Sequence, residues 1–225
     1  IYILKYLFKM NFVFILNGEF DKSYDINFFQ DYHCIICIDG GYNNFKKLNL
    51  NIEPDYIIGD FDSIGNIDTK KLSSEKTKVI IKDNQDETDA EFAYKYIFKE
   101  YSNKEIKKID FIYAISTSRF DHSLCNIFLL KQIPLNINGR ILTKYQEMFL
   151  LRNKVNINDK IGKTLSVIPI TNVKGLNIKG CKWDLTNTDV NFGFIGGISN
   201  IMEKNNVEIS LEEGECVIII TYNVK

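Results

Sequence analysis

The chain of 225 residues is long enough for one large domain or two small ones with real cores. Its 45% hydrophobic and 25% charged content is that of a globular protein and excludes a disordered chain. A net charge of -1, from 28 Lys plus Arg against 29 Asp plus Glu, excludes an overall pull toward nucleic acid or an anionic membrane and favours a small-molecule role.

The opening stretch, IYILKYLFKMNFVFILNG, is apolar. Lys5 and Lys9 interrupt it well short of the roughly 18 residues of a membrane span, and no small-residue cleavage site follows, as a signal peptide would require. Because Met10 precedes the first clear strand, residues 1–9 are set aside in the fold reading. From residue 12 to 133 short apolar runs alternate with longer amphipathic ones, which predicts an α/β domain with a parallel sheet covered by helices. The strand candidates are 12–17, 34–39, 55–59, 78–82 and 109–116. The clearest helix is 88–102, with Phe92, Ala93, Tyr96, Ile97 and Tyr101 on one face; a second, 119–133, is stopped by Pro134. From about Ile137 the texture changes to short strands punctuated by Asn, Gly, Asp and Lys, beginning with GRILTK, which predicts an all-β domain. The change of period puts the boundary near residue 145.

The five cysteines, at 34, 37, 125, 181 and 216, are odd in number and scattered, which points to a reducing, cytoplasmic compartment rather than a disulfide framework. Cys34 and Cys37 form a C-x-x-C, but inside the apolar run CIICID, which reads as strand interior and not as a redox turn.

The segment PDYIIGDFDSI ends a strand with two carboxylates, Asp60 and Asp62. In an extended chain residues i and i+2 share a face, so the two point the same way while Phe61 points to the core. Gly59 permits close backbone approach. At the carboxyl end of a parallel strand they stand where open α/β sheets bind ligands, and a hard cation such as Mg²⁺ explains their convergence. A second acidic run, DNQDETDAEF, opens the best helix. Capping and the macrodipole account for one or two of its acids. Asp89 is then a metal ligand or a group supporting one, Thr88 an N-cap or a phosphate donor, and Glu87 and Glu91 solvated charges. DGGYN, residues 39–43, is either a phosphate-cradling turn or an ordinary one. SRFDH opens a helix with Arg119, a phosphate fork, beside Asp121 and His122, both acid–base candidates. No G-x-x-x-x-G-K-[ST] or G-x-G-x-x-G occurs, so any nucleotide is held by metal, Arg and turn amides. The single tryptophan, Trp183, reads first as a core residue.

Taken together, ILNGEFD, DGGYN, PDYIIGDFDSI, NQDETD, RFDH, GCKWDLTN and FGFIGGISN resemble the thiamine pyrophosphokinase family over nearly the whole chain after Met10. The resemblance implies a Rossmann-like parallel-sheet domain at 10–145 that binds ATP and Mg²⁺, and a β-sandwich domain at 146–225 for thiamine binding and dimerisation. It implies a homodimer with active sites at the subunit interface, and transfer of the pyrophosphoryl group of ATP to the thiamine hydroxyl with release of AMP. Carried over by position, Asp60, Asp62 and Asp89 match the metal carboxylates, and Asp62, Asp89, Arg119 and Asp121 the catalytic set. Asp39, Gly40, Gly41, Asn43, Gln85, Asp86 and Thr88 match the ATP site. Trp183, Asp184, Ser199 and Asn200 match the thiamine side, where an aromatic face and a carboxylate would suit the thiazolium cation. Two departures stand out: Ser118 where the family usually has Gly before R-F-D, and Gly197-Ile198-Ser199-Asn200 in place of S-T-S-N. The rival readings are a metal-dependent phosphate-ester hydrolase and a non-catalytic thiamine- or nucleotide-binding protein.

Overall fold

The computed structural model describes residues 9–62, 72, 74–101 and 106–222. The segment 1–8, Ser63 and Ile64 of the acidic motif, and Ser102 of the expected first helix lie outside them. The chain divides into two compact units, up to Lys144 and from Tyr145 on.

In the first unit, strands β1 (Met10–Ile15), β2 (Cys34–Ile38), β3 (Tyr56–Gly59), β4 (Lys78–Ile81), β5 (Ile106–Ile112) and β6 (Asn138–Leu142) form a sheet of order β6-β5-β1-β2-β3-β4. Every neighbouring pair is parallel. Helices α1 (Ile26–Gln30), α2 (Gly41–Lys47), α3 (Asp89–Glu100) and α4 (Phe120–Leu129) fall between strands, and a 3₁₀ turn (Leu130–Gln132) completes the last. Strands covered on both faces require continuous apolar runs, and Phe12, Val13, Phe14 and Ile15 of β1 are all fully buried. Cys34 and Cys37 are buried in β2, and burial pushes both thiols up, which removes them from redox chemistry.

The structure differs from the sequence reading in two elements. In α3 the buried residues are Ala90, Ala93, Tyr94 and Ile97, so the helical period is as expected but the inward face is rotated: Phe92 and Tyr96 stay half-buried. The strand within GRILTK does not open the all-β half. It is β6, parallel to β5 in register Asp110↔Arg140. That register is set by charge. Asp110 is fully buried, and Arg140 grips both its oxygens at 2.9 Å while the Tyr32 hydroxyl also donates to it.

In the second unit, β7 (Gln146–Leu151), β9 (Thr164–Pro169), β12 (Asn200–Ile201) and β14 (Cys216–Thr221) form one antiparallel sheet, order β12-β9-β14-β7. The other, order β11-β10-β13-β8, is built from β8 (Lys154–Asn158), β10 (Val173–Lys179), β11 (Leu185–Val190) and β13 (Asn206–Ser210). Two-residue alternation sends Leu165, Val167, Cys216, Ile218 and Ile220 from one sheet against Leu176, Ile178, Val207 and Ile209 from the other, as in a sandwich.

Removing one partner of a buried ion pair leaves the other uncompensated. Asp110→Ala is expected to lower stability by about 3 kcal/mol in denaturant unfolding. A loss under about 1 kcal/mol would show that the pair does not anchor β6.

Candidate active site

The strand order reverses direction beside β1: β2, β3 and β4 lie on one side of it, β5 and β6 on the other. Open α/β sheets leave a crevice at the carboxyl ends of strands at such a point. A cavity of about 700 Å³ is found there. Its walls come from the residues that follow each strand: Asn17 and Gly18 after β1, Asp39 after β2, Asp60 and Asp62 after β3, Lys82 after β4, and Ser116, Ser118 and Arg119 after β5.

Three carboxylates converge in it. Oxygens of Asp39, Asp60 and Asp89 lie within 4.8 Å of one another. Parallel pairing brings the first two close: β2 and β3 run in register through Ile38↔Ile58, so Asp39 leaves β2 opposite Gly59 and Asp60 follows one residue further on. Gly59 makes the close approach possible: a Cβ there would stand 2.9 Å from the Cβ of Asp39. Asp89 arrives from the other side as the first residue of α3, whose N-cap is Thr88, with its hydroxyl accepting from Glu91 N at 3.2 Å. Asp89 Oδ1 is buried and accepts no hydrogen bond. An all-oxygen, densely anionic donor set with a buried carboxylate oxygen that accepts no hydrogen bond suits a hard divalent cation.

This set differs from the one expected. Asp62 lines the cavity but is not among the three, because the chain is not extended there: β3 stops at Gly59, Phe61 takes φ +65°, and Asp62 N–H turns back to Asp60 Oδ1 at 3.3 Å. The alternation that would have paired Asp60 with Asp62 therefore ends before it reaches them. Asp39, expected as an ATP contact, joins the cluster instead. The missed signal was the repeated pattern of a short buried strand closed by Asp on two adjacent strands. Gly40, Gly41 and Asn43 do not line the cavity. Gly41 is needed for packing, since a Cβ there would meet the Ile15 carbonyl oxygen at 2.0 Å. The neighbouring Asn44, buried and unpredicted, donates to the carbonyls of Leu16 and Gly18 at 3.1 and 3.0 Å and so fixes the loop after β1.

Gln85, Asp86 and Thr88 all line the cavity, with Gln85 Nε2 at 3.4 Å from Asp60 Oδ2. Glu87 and Glu91 are not simply solvated: Lys95 Nζ bridges them at 2.6 and 2.9 Å. Lys82, also unpredicted, is a buried lysine in the cavity wall, 3.1 Å from Asp89 Oδ1.

On the opposite wall Arg119 sits at the N-cap of α4 and forks onto Asp121, Nε to Oδ1 at 3.0 Å and a terminal nitrogen to Oδ2 at 2.8 Å. His122 Nε2 touches the same guanidinium. The Arg119 hydrogen bond holds the Asp121 carboxyl down at about 2. Glu19 accepts from Thr117 N at 3.0 Å and from its hydroxyl, tying the loop before Arg119 to the loop after β1.

In the second unit, Trp183 is exposed rather than a core residue, and Lys182 Nζ lies 4.7 Å from its ring centre. Asn200 clamps its backbone, donating to the Trp183 carbonyl at 2.7 Å and accepting from its N–H at 3.1 Å. Asp184 Oδ1 accepts from Gly180 N and Cys181 N at 2.9 and 3.0 Å and so builds the turn that presents the ring. Ser199, at φ +59°, donates its N–H to Ser166 Oγ at 3.1 Å.

Residues 26–141 match the family described as thiamin pyrophosphokinase, catalytic domain, and residues 152–216 match its vitamin B1 binding domain. Thiamine pyrophosphokinase 2 of Arabidopsis thaliana is 28% identical, covering 84% of this chain and 78% of its own length. Thiamine pyrophosphokinase 1 of Oryza sativa subsp. japonica is 27% identical over 78% of this chain and 74% of its own. The solved structure of thiamin pyrophosphokinase from Candida albicans superposes with a TM-score of 0.81 at 21% identity, covering 97% of this chain and 90% of that one. With half its length matched by the catalytic domain and the vitamin B1 domain following in order, this chain belongs to the thiamine pyrophosphokinase family, transferases that move a pyrophosphoryl group from ATP to thiamine.

Proposed function

We propose that the chain makes thiamine diphosphate and AMP from thiamine and ATP in a divalent-metal-dependent reaction, with the polyphosphate bound in the cavity of the first unit. The observation that carries this reading is the convergence of Asp39, Asp60 and Asp89 in a cavity whose opposite wall holds Arg119. Mg²⁺ is the cation we assign, held by these three carboxylates, and when bound it supplies charge neutralisation at the phosphate oxygens.

The thiamine hydroxyl oxygen forms a bond to the β-phosphorus, the bond from that phosphorus to the bridging oxygen breaks, and AMP departs with the bond's electron pair. Such transfers pass through a loose transition state, so the protein mainly positions the reactants and stabilises charge. Arg119 is the fork for the transferring group. In its resting geometry it is occupied by Asp121, so phosphate oxygens would take the guanidinium from that carboxylate. Gln85, Asp86 and Thr88 are the remaining nucleotide contacts of the first unit. Asp62 lines the same cavity and is a supporting group for bound metal or water.

Proton acceptance falls to His122 rather than Asp121. A carboxyl held at about 2 is a weak base, and its role is to orient Arg119. On the second unit the exposed Trp183, held by Asn200 and the Asp184 turn, is the face for the thiazolium ring, with Lys182 displaced from it. Ser199 flanks this region. Phe192, Ile195 and Ile198, exposed in the same loop, give the second unit an apolar surface that supports a homodimer with active sites at its interface. Five free cysteines, four of them buried, favour a cytoplasmic location. Among the described residues no helix is long and apolar enough to cross a membrane.

Incubation with ATP, Mg²⁺ and thiamine is expected to yield AMP and thiamine diphosphate in equal amounts; phosphate released without thiamine would favour a hydrolase, and binding without product a sensor. Asp39→Asn and Asp60→Asn are each expected to raise the Mg²⁺ concentration for half-activation by about tenfold or more, and Asp62→Asn by less. An equal rise for Asp62 would return that residue to the metal. Because the folded-state value of Asp121 lies below its unfolded one, its pairing is intact above the ordinary carboxylate range and fails only as pH falls toward 2. Asp121→Asn should therefore lower turnover while leaving any acid limb of the pH–rate profile between roughly pH 4 and 9 in place. Loss of that limb would identify Asp121 as the base.

A further inference from the structure

Lys82 is 4% exposed, in the wall of a cavity dominated by carboxylates. Its backbone N–H bonds to the Gly59 carbonyl at 2.9 Å, which places it beside the strand end that carries Asp60. Its ammonium donates to the Glu87 carbonyl at 2.9 Å and stands 3.1 Å from Asp89 Oδ1, close enough to pair but without the alignment of a hydrogen bond. Glu87 and Glu91 of this turn are served elsewhere, since Lys95 bridges them. Among the cavity's lining residues the only other Lys or Arg is Arg119, already forked onto Asp121.

A purely structural demand does not account for a lysine here. Buried ion pairs are commonly replaced by apolar groups of like size without loss of stability, and a single donor to the Glu87 carbonyl needs no charge. What a charge does accomplish is electrostatic. Three carboxylates within 4.8 Å repel one another when no cation is bound, and a fixed ammonium against one of them relieves that repulsion. The same ammonium opposes a metal ion arriving alone and favours a polyphosphate arriving with it.

We propose that Lys82 is a positioning residue acting as the resident counter-charge of the cluster: it holds Asp89 in the metal-free protein, weakens metal binding by the protein alone, and attracts the nucleotide's phosphates. Metal and nucleotide thereby enter together rather than metal first. The inference rests on the metal- and ATP-binding reading above.

The test titrates the full chain with Mn²⁺ in the absence of nucleotide, followed by electron paramagnetic resonance of the free ion, and separately with ATP in the presence of chelator, by calorimetry. Lys82→Met is expected to bind Mn²⁺ on the order of tenfold more tightly and metal-free ATP on the order of tenfold more weakly, because one fixed charge is removed a few ångströms from both. Lys82→Arg should restore both affinities toward those of the unaltered chain. Lys82→Gln, which retains a donor for the Glu87 carbonyl, serves if the Met variant does not fold, with the same opposed shifts expected. Unchanged affinities, or a loss of both together, would overturn the proposal and leave Lys82 a structural residue. Failure of the unaltered chain to bind either Mn²⁺ or ATP would overturn the functional reading and this inference with it.

Discussion

Everything in the first unit is arranged around the mutual repulsion of three carboxylates gathered at one end of a parallel sheet. Two of them, Asp39 and Asp60, cannot avoid each other, because adjacent parallel strands deliver them one register step apart and Gly59, opposite Asp39, lacks the side chain that would separate them. The third, Asp89, is delivered by a capped helix start, where the macrodipole favours an acid. The free energy that tolerates this crowding comes from the buried strands below, which bury Phe12, Phe14 and Phe111 almost completely. A site of this kind is a spring loaded by folding: the apolar sheet enforces a charge arrangement that only a cation relaxes.

The backbone carries part of the same load. Three non-glycine residues just past the strand ends take left-handed conformations: Asp39 after β2 at φ +44°, Phe61 after β3 at +65°, and Tyr113 after β5 at +53°. Such conformations cost on the order of 1 kcal/mol each and persist where surrounding packing enforces them. Here the enforcement is visible. Tyr113 is buried with its hydroxyl donating to the Asp21 carbonyl at 2.7 Å, and Phe61 packs against the core beneath the cavity. Each left-handed step turns the chain sharply out of the sheet, so the polar groups that follow face the crevice rather than continuing the ladder.

Legibility from sequence followed the strength of local periodicity. The buried strands of the first unit and the two-residue alternation of the second were plain, because uninterrupted apolar runs and alternation both report burial directly. β6 was misgrouped for a physical reason: GRILTK is too short and too polar to announce its partner, and what assigns it is the distant Asp110–Arg140 contact. Asp60, Asp89 and Arg119, which motif spacing singled out, all line the cavity. Asp62 does not share a face with Asp60 as two-residue alternation would give, because Phe61 reverses the backbone between them. Lys82 and Asn44 were missed altogether, since a strand-ending lysine and a helical asparagine carry no local mark of burial; only tertiary packing makes them unusual.

The two walls of the cavity handle their charges differently, and the difference bears on order of events. On the carboxylate side, Lys82 is buried and its pairing with Asp89 spans separate elements, so moving it means rearranging packed structure. On the other side, Arg119 and Asp121 are exposed and only two residues apart, so their fork can open by side-chain rotation alone. Exposed pairs contribute little net stability and are exchanged at little cost. A polyphosphate entering the cavity would therefore recruit Arg119 readily, trading one bidentate anion for another, while the buried wall keeps its geometry. Rigidity on the carboxylate wall and mobility on the Arg119 wall is the combination that a transfer reaction governed by positioning requires.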